Sequence, residues 1–127
     1  MNVNESAENY LETIYILSKQ KPVVRSVDIA EELGYKKSSV SIAMKHLREN
    51  QHITVSDAGF ISLTESGLAI AEMVFERHEI LTKILVSIGV PEDIASEDAC
   101  KIEHVISPES FEAIKNSLAR HRDKYLK

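Results

Sequence analysis

Cys100, Glu103 and His104 stand at i, i+3 and i+4, so a helix through them turns a thiol, a carboxylate and an imidazole toward one volume. All three are ligand types for a divalent transition ion. Cys100 is the only cysteine in the chain. It has no partner for an internal disulfide, and a thiol placed beside an acid and a histidine suits coordination. His78, in Glu76-Arg77-His78-Glu79, offers a further nitrogen, and Glu8, Asn9 and Glu12 put oxygen donors at i, i+1 and i+4 near the start of the chain. Taken singly, a helical histidine is more often a packing residue, and an acidic first turn more often a solvated face. Taken together with the Cys100 group, they give the mixed N, O and S donor set that suits Fe(II), Mn(II), Co(II) or Zn(II). No oxygen-rich calcium loop is present.

The same residues argue against catalysis. His78-Glu79-Ile80-Leu81-Thr82 begins like the zinc-protease signature H-E-x-x-H but carries threonine where the second histidine must stand. Cys100 and His104 could imitate a nucleophile and its base, yet no orienting partner and no glycine-rich oxyanion turn lie nearby in the sequence. The chain is expected not to be an enzyme.

A second group of residues points to a different chemistry. The net charge of −5 argues against a nucleic-acid binder, but the charges are unevenly spread. From Lys36 to Arg48 there are four cations, Lys36, Lys37, Lys45 and Arg48, and no acid, whereas Glu92 to Glu112 holds seven acids against Lys101 alone. Ser38, Ser39, Ser41 and Ile42 lie among those cations and are small enough to approach a DNA groove. In this reading they face base edges while Lys36, Lys37, Lys45 and Arg48 hold phosphates.

The elements that must position these groups follow from periodicity and punctuation. A first helix is predicted from Glu5 to Lys19, with Tyr10, Ile14 and Leu17 on one face and Leu11 and Tyr15 beside them, and Lys21-Pro22 ends it. Ser26 is expected to cap a short helix to Leu33 that closes at Gly34, and Ser38 to open a third helix to about Asn50. Two short helices across a tight glycine turn make a helix-turn-helix. Ile53-Thr54-Val55 and Phe60-Ile61-Ser62-Leu63 flank the turn Ser56-Asp57-Ala58-Gly59, which predicts a β-hairpin wing. Thr64 then caps a long helix toward Ile88, ended by Gly89-Val90-Pro91. A helix from Glu92 or Ser96 to Ile106 carries the thiol group, and Ser107-Pro108 starts a last helix toward Leu126. The fold class is therefore mainly α: a winged helix-turn-helix over residues 1–70 and a helical metal-binding and dimerisation domain over 71–127. With no early apolar run and no stretch of about 18 apolar residues, a soluble, cytoplasmic protein without a membrane partner is expected.

The order of these motifs resembles the diphtheria toxin repressor family of metal-dependent transcriptional regulators. The resemblance rests on Glu8-Asn9-Tyr10-Leu11-Glu12-Thr13-Ile14-Tyr15, Val27-Asp28-Ile29-Ala30-Glu31-Glu32-Leu33, Ser38-Ser39-Val40-Ser41, Leu63-Thr64-Glu65-Ser66-Gly67, Arg77-His78-Glu79 and Ala99-Cys100-Lys101-Ile102-Glu103-His104. It implies a homodimeric repressor of metal-uptake genes that binds double-stranded operator DNA once Fe(II) or Mn(II) is held as co-repressor. It also implies the ligand positions Asn9, Glu12, His78, Cys100, Glu103 and His104. The manganese branch has carboxylates where Asn9 and Cys100 stand. The iron branch has methionine at the first of these positions and cysteine at the second. Cys100 thus resembles the iron branch, and the two-domain length resembles the manganese branch. The iron branch places an acidic ligand of a second ion where this chain has Thr82. A thiolate favours ions softer than Mn(II), which tilts the expectation toward iron. A metal-independent winged-helix regulator that senses a small molecule is the alternative, distinguished by DNA binding that a chelator leaves unchanged.

Overall fold

The computed structural model describes residues 4–120. The chain divides into two compact units, Met1–Met73 and Val74–Lys127. Among the described residues it is mainly helical, with one two-stranded hairpin.

The first unit opens with α1 (Glu5–Gln20), where the Asn4 side chain accepts from the Ala7 N–H at 2.7 Å and Glu5 and Glu8 oppose the positive end of the helix dipole. Its apolar stripe of Tyr10, Leu11, Ile14 and Leu17 is buried and packs on α2 (Ser26–Leu33) and β2 (Ile61–Leu63). The cap of α2 is not Ser26, as the sequence suggests, but Arg25: its backbone N–H donates to Asp28 Oδ2 at 2.8 Å, which leaves Ser26 as the first helical residue. A carboxylate three residues on supplies the acceptor, and Lys21 Nζ, 3.0 Å from the other oxygen, holds it there.

Gly34 turns α2 into α3 (Lys37–Glu49) with φ +71°, and both its N–H and that of Tyr35 return to the Ala30 carbonyl. α3 begins one residue ahead of the expected Ser38, with Lys36 at its cap. Its inward residues Val40, Met44 and Leu47 join Ile29, Ala30, Val24 and the α1 stripe in one core. Removing a wholly buried member such as Leu11 or Ile14 would cost about 2–5 kcal/mol.

The wing pairs β1 (Ile53–Val55) with β2 in antiparallel register, Ile53 opposite Leu63 and Val55 opposite Ile61. Phe60, expected to begin the second strand, precedes it. Its N–H is taken by the Ser56 hydroxyl at 3.0 Å, and its ring lies under the Arg25 guanidinium. The hairpin leads into α4 (Glu65–Ser87), whose N–H at Gly67 donates to Thr64 Oγ1, the expected cap. Gly67 lies hard against the His52 backbone, so any side chain there would collide with the His52 carbonyl.

α4 runs through the boundary into the second unit, which adds α5 (Glu92–Ile102) and α6 (Pro108–Arg120) around buried Val74, Leu81, Ala95, Ala99, Phe111 and Leu118. Ser107 caps α6 through the Ser110 N–H at 3.0 Å. The reach of α6 toward Leu126 lies outside the described residues. α5 stops four residues before the expected Ile106. Glu103 is its C-cap, and the Glu103 and Ile106 carbonyls, instead of continuing a helical ladder, accept from the buried Arg77 guanidinium at 3.1 and 3.3 Å.

Candidate metal centre

α5 ends before His104, yet the expected donors stay together. Cys100 and Glu103 keep their helical relation because Glu103 retains right-handed helical angles, with its N–H on the Ala99 carbonyl at 2.9 Å. His104 falls in the turn beyond, half-buried. It still brings a ring nitrogen within 4.8 Å of a Glu103 carboxylate oxygen, and α4 adds a further partner: His78, Cys100 and Glu103 each offer one ligand atom, and the three atoms lie within 4.8 Å of one another. Donors held to one ion by bonds of about 2.0–2.3 Å lie no more than about 4.6 Å apart, so the three are within or a few tenths of an ångström of that reach.

Ala95 and Ala99 are wholly buried at i and i+4 and mark the inward face of α5. The longer side chains beside that face converge on His78 of α4. Glu103 has no solvent exposure at all. His78 Nδ1 is 3.2 Å from its Oε1, and the other carboxylate oxygen, Oε2, is buried with no hydrogen-bond partner. A buried carboxylate oxygen left unsatisfied is costly, and a cation is the natural remedy. The Cys100 thiol and the Glu103 carboxylate hold the His78 imidazole pKa up at about 10, so in the metal-free protein the ring is a cation. Nδ1–H then donates to Glu103, and Nε2–H donates to Ser96 Oγ at 3.3 Å. An incoming divalent ion would replace the proton that neutralises this pocket. Soft, borderline and hard donors side by side fit a transition ion.

The other expected ligands lie as follows. Asn9 is half-buried on α1, its carbonyl accepting from Thr13 Oγ1, and Glu12 is buried one turn later. Thr82, four residues after His78, has a buried hydroxyl with no hydrogen-bond partner. Two residues of the site escaped the sequence reading. Ser96 stands four residues before Cys100, a spacing that places it on the same face. Arg77 carries no signal beyond its place beside His78, because a guanidinium is ordinarily a surface group and here only 8% of the residue is exposed.

On α3 the eight residues expected to face DNA, Lys36, Lys37, Ser38, Ser39, Ser41, Ile42, Lys45 and Arg48, are all exposed. Ile42 is 59% exposed, a large apolar side chain left in solvent at the middle of that face. No side-chain hydrogen bond caps the helix at Lys36. His46 shares the face and lies 3.7 Å from Glu49. No helix among the described residues is long and apolar enough to cross a membrane.

Residues 2–58 match the family described as iron dependent repressor, N-terminal DNA binding domain, and residues 64–124 match iron dependent repressor, metal binding and dimerisation domain. An uncharacterized HTH-type transcriptional regulator of Methanocaldococcus jannaschii is 33% identical over 96% of this chain and 99% of its own length. The HTH-type transcriptional regulator MntR of Geobacillus kaustophilus is 35% identical over 86% of this chain and 77% of its own. Among solved structures, a manganese-dependent transcriptional repressor in complex with manganese superposes with a TM-score of 0.81 at 28% identity, over 89% of this chain. IdeR of T. acidophilum does so with 0.77 at 29%, over 94%. This chain spans about half the length of those two solved proteins, 52% and 55%.

Proposed function

The chain belongs to the diphtheria toxin repressor family of metal-dependent transcriptional regulators, and from that premise we propose that it is a cytoplasmic homodimeric repressor that takes Fe(II) or Mn(II) as co-repressor and then binds the operators of metal-uptake genes. The observation that carries this reading is the buried Glu103 carboxylate, one oxygen on His78 and the other without a partner, beside Cys100. His78, Cys100 and Glu103 would hold the ion, with Asn9, Glu12 and His104 as the further proposed ligands. Bound there, the ion supplies positive charge and a fixed coordination geometry. An ion that binds one conformation of the protein more tightly than another shifts the population toward it, and by linkage DNA must then raise metal affinity by the same factor.

Cys100 favours iron over manganese in this proposal, because a thiolate is a poor partner for a hard ion. Ser38, Ser39, Ser41 and Ile42 are the proposed base-facing residues, and Lys36, Lys37, Lys45 and Arg48 the phosphate contacts. The proposed dimer draws on the apolar side chains that the second unit leaves exposed, Ile88 at 66% and Val105 at 72%.

The deciding experiment is an anaerobic titration of duplexes selected by the protein from a random pool, with Fe(II), Mn(II) and Zn(II) in parallel and a chelator arm. Metal-stimulated binding that the chelator abolishes is expected, with Cys100→Ser weakening the Fe(II) response more than the Mn(II) response. DNA binding indifferent to metal and chelator would overturn the proposal and leave a metal-independent regulator.

A further inference from the structure

Ser96 is not among the proposed ligands, yet its hydroxyl touches the ring of one of them. Ser96, Cys100 and Glu103 follow at i, i+4 and i+7 along one face of α5 and its C-cap. His78 lies against this face with its two ring nitrogens facing different partners. Nδ1 is 3.2 Å from Glu103 Oε1, on the side of the unsatisfied carboxylate, and Nε2 is 3.3 Å from Ser96 Oγ. A neutral imidazole offers one lone pair and one N–H, and which nitrogen carries the proton follows from the hydrogen bond the other side makes.

We propose that Ser96 is a positioning residue that accepts the His78 Nε2–H, fixing the tautomer and ring orientation in which Nδ1 is presented to the ion beside Glu103. The inference rests on the metal-binding reading of this site. A hydroxyl serves here because it accepts from Nε2–H without adding charge. A carboxylate in its place would add a negative charge, and an alanine would leave the N–H on a half-buried ring without this acceptor. The position also explains why the site can use a histidine from one helix and two ligands from another: α5 and its C-cap hold both nitrogens of the α4 ring, one through Ser96 and one through Glu103. Serine side chains back-bond readily to their own helix, and Ser96 is instead turned to a ring on α4.

The test uses the full chain and Zn(II) as a diamagnetic probe. Ser96→Ala should bind Zn(II) at least about 10-fold more weakly in chelator competition, the scale of effect for losing the partner of a ligating histidine. Ser96→Thr, which keeps the hydroxyl, should restore parental affinity. Melting of the metal-free proteins should show all three folded, with Ser96→Ala lowered by loss of the Nε2–H acceptor and Ser96→Thr close to the parent. Long-range proton–nitrogen correlation spectra of the Zn(II) form should show His78 metal-bound at Nδ1 and protonated at Nε2, with that tautomer lost or mixed in Ser96→Ala. Unchanged Zn(II) affinity in Ser96→Ala, or zinc on Nε2, would overturn the role of Ser96 while leaving the metal site standing. No Zn(II) uptake by the parent would overturn both.

Discussion

The two units solve opposite electrostatic problems. The α3 face of the first unit keeps its charges in water: Lys36, Lys37, Lys45 and Arg48 are exposed over an apolar core of Val40, Met44 and Leu47. The second buries charges. Glu103 has no exposure, Arg77 very little, and His78 lies between Glu103, Ser96 and Cys100. Exposed cations are free to be claimed by phosphate at little cost, whereas buried groups are stable only in a complete set of partners. A change on the α3 face should therefore grade binding, and a change among the buried charges should break it.

The largest expected effect follows from removing the group on which the second unit turns. Glu103→Ala takes away both the buried oxygen and the partner of His78, and should lower metal affinity by roughly 100-fold or more, above the range for outer-shell partners. His104→Ala should likewise abolish metal-stimulated DNA binding in a folded protein. Metal titrations followed by DNA-binding assays would show this, and retained stimulation in both variants would remove these residues from the ligand set.

Arg77→Met comes next. It keeps apolar volume against Phe111 but leaves the Glu103 and Ile106 carbonyls without their donor, and should cost about 1.5–3 kcal/mol in thermal unfolding. Arg77→Lys should rescue little of this, because a single ammonium lacks the planar fork that reaches two carbonyls. A neutral outcome for both would mean that the turn at 103–106 holds itself.

The raised pKa of His78 gives a pH signature with a definite sign. Because the folded value of about 10 lies above the ordinary 6.5, its contribution to the stability of the metal-free protein is fully present below pH 6.5 and is lost as pH rises toward 10. Ligation requires the same proton to leave, so apparent metal affinity should climb with pH through that window, up to about tenfold per unit for each proton released. Denaturant melts and chelator competition at pH 6.5, 7.5 and 8.5 would read the two trends, which must run in opposite directions. A His78→Gln variant should flatten the first.

The smallest effects belong to the first unit. Lys45→Ala or Arg48→Ala should weaken binding to all duplexes and reduce the slope of log affinity against log salt by about 0.9 for each phosphate no longer neutralised. Changes at Ser38, Ser39 or Ile42 should alter preference among sequences and leave the slope alone. A uniform loss from the serine changes would move the recognition face elsewhere on α3.

Sequence alone determined the architecture of the first unit nearly to the residue, because its signals are local: the stripes of α1 and α3, the left-handed Gly34, the turn before Phe60, the threonine cap of α4. Where it slipped, at Ser26, two acceptors competed for one cap, and the carboxylate of Asp28 prevailed over the hydroxyl. Cys100 and Glu103 were legible as a pair for the same reason, being neighbours on one helix. Only tertiary structure decided the rest of that site. Nothing between Lys101 and Ser107 announces that α5 ends at Ile102; past that end the carbonyls of Glu103 and Ile106 are taken by the guanidinium of Arg77, 26 and 29 residues away. His104, in the turn past the end of α5, keeps a ligand atom within 4.8 Å of Glu103, and the packing of α5 against α4 adds His78 and Ser96 to Cys100 and Glu103. Periodicity describes one helix at a time, and the partners of a buried charge are chosen between helices, where burial without a partner costs more than any local preference can return.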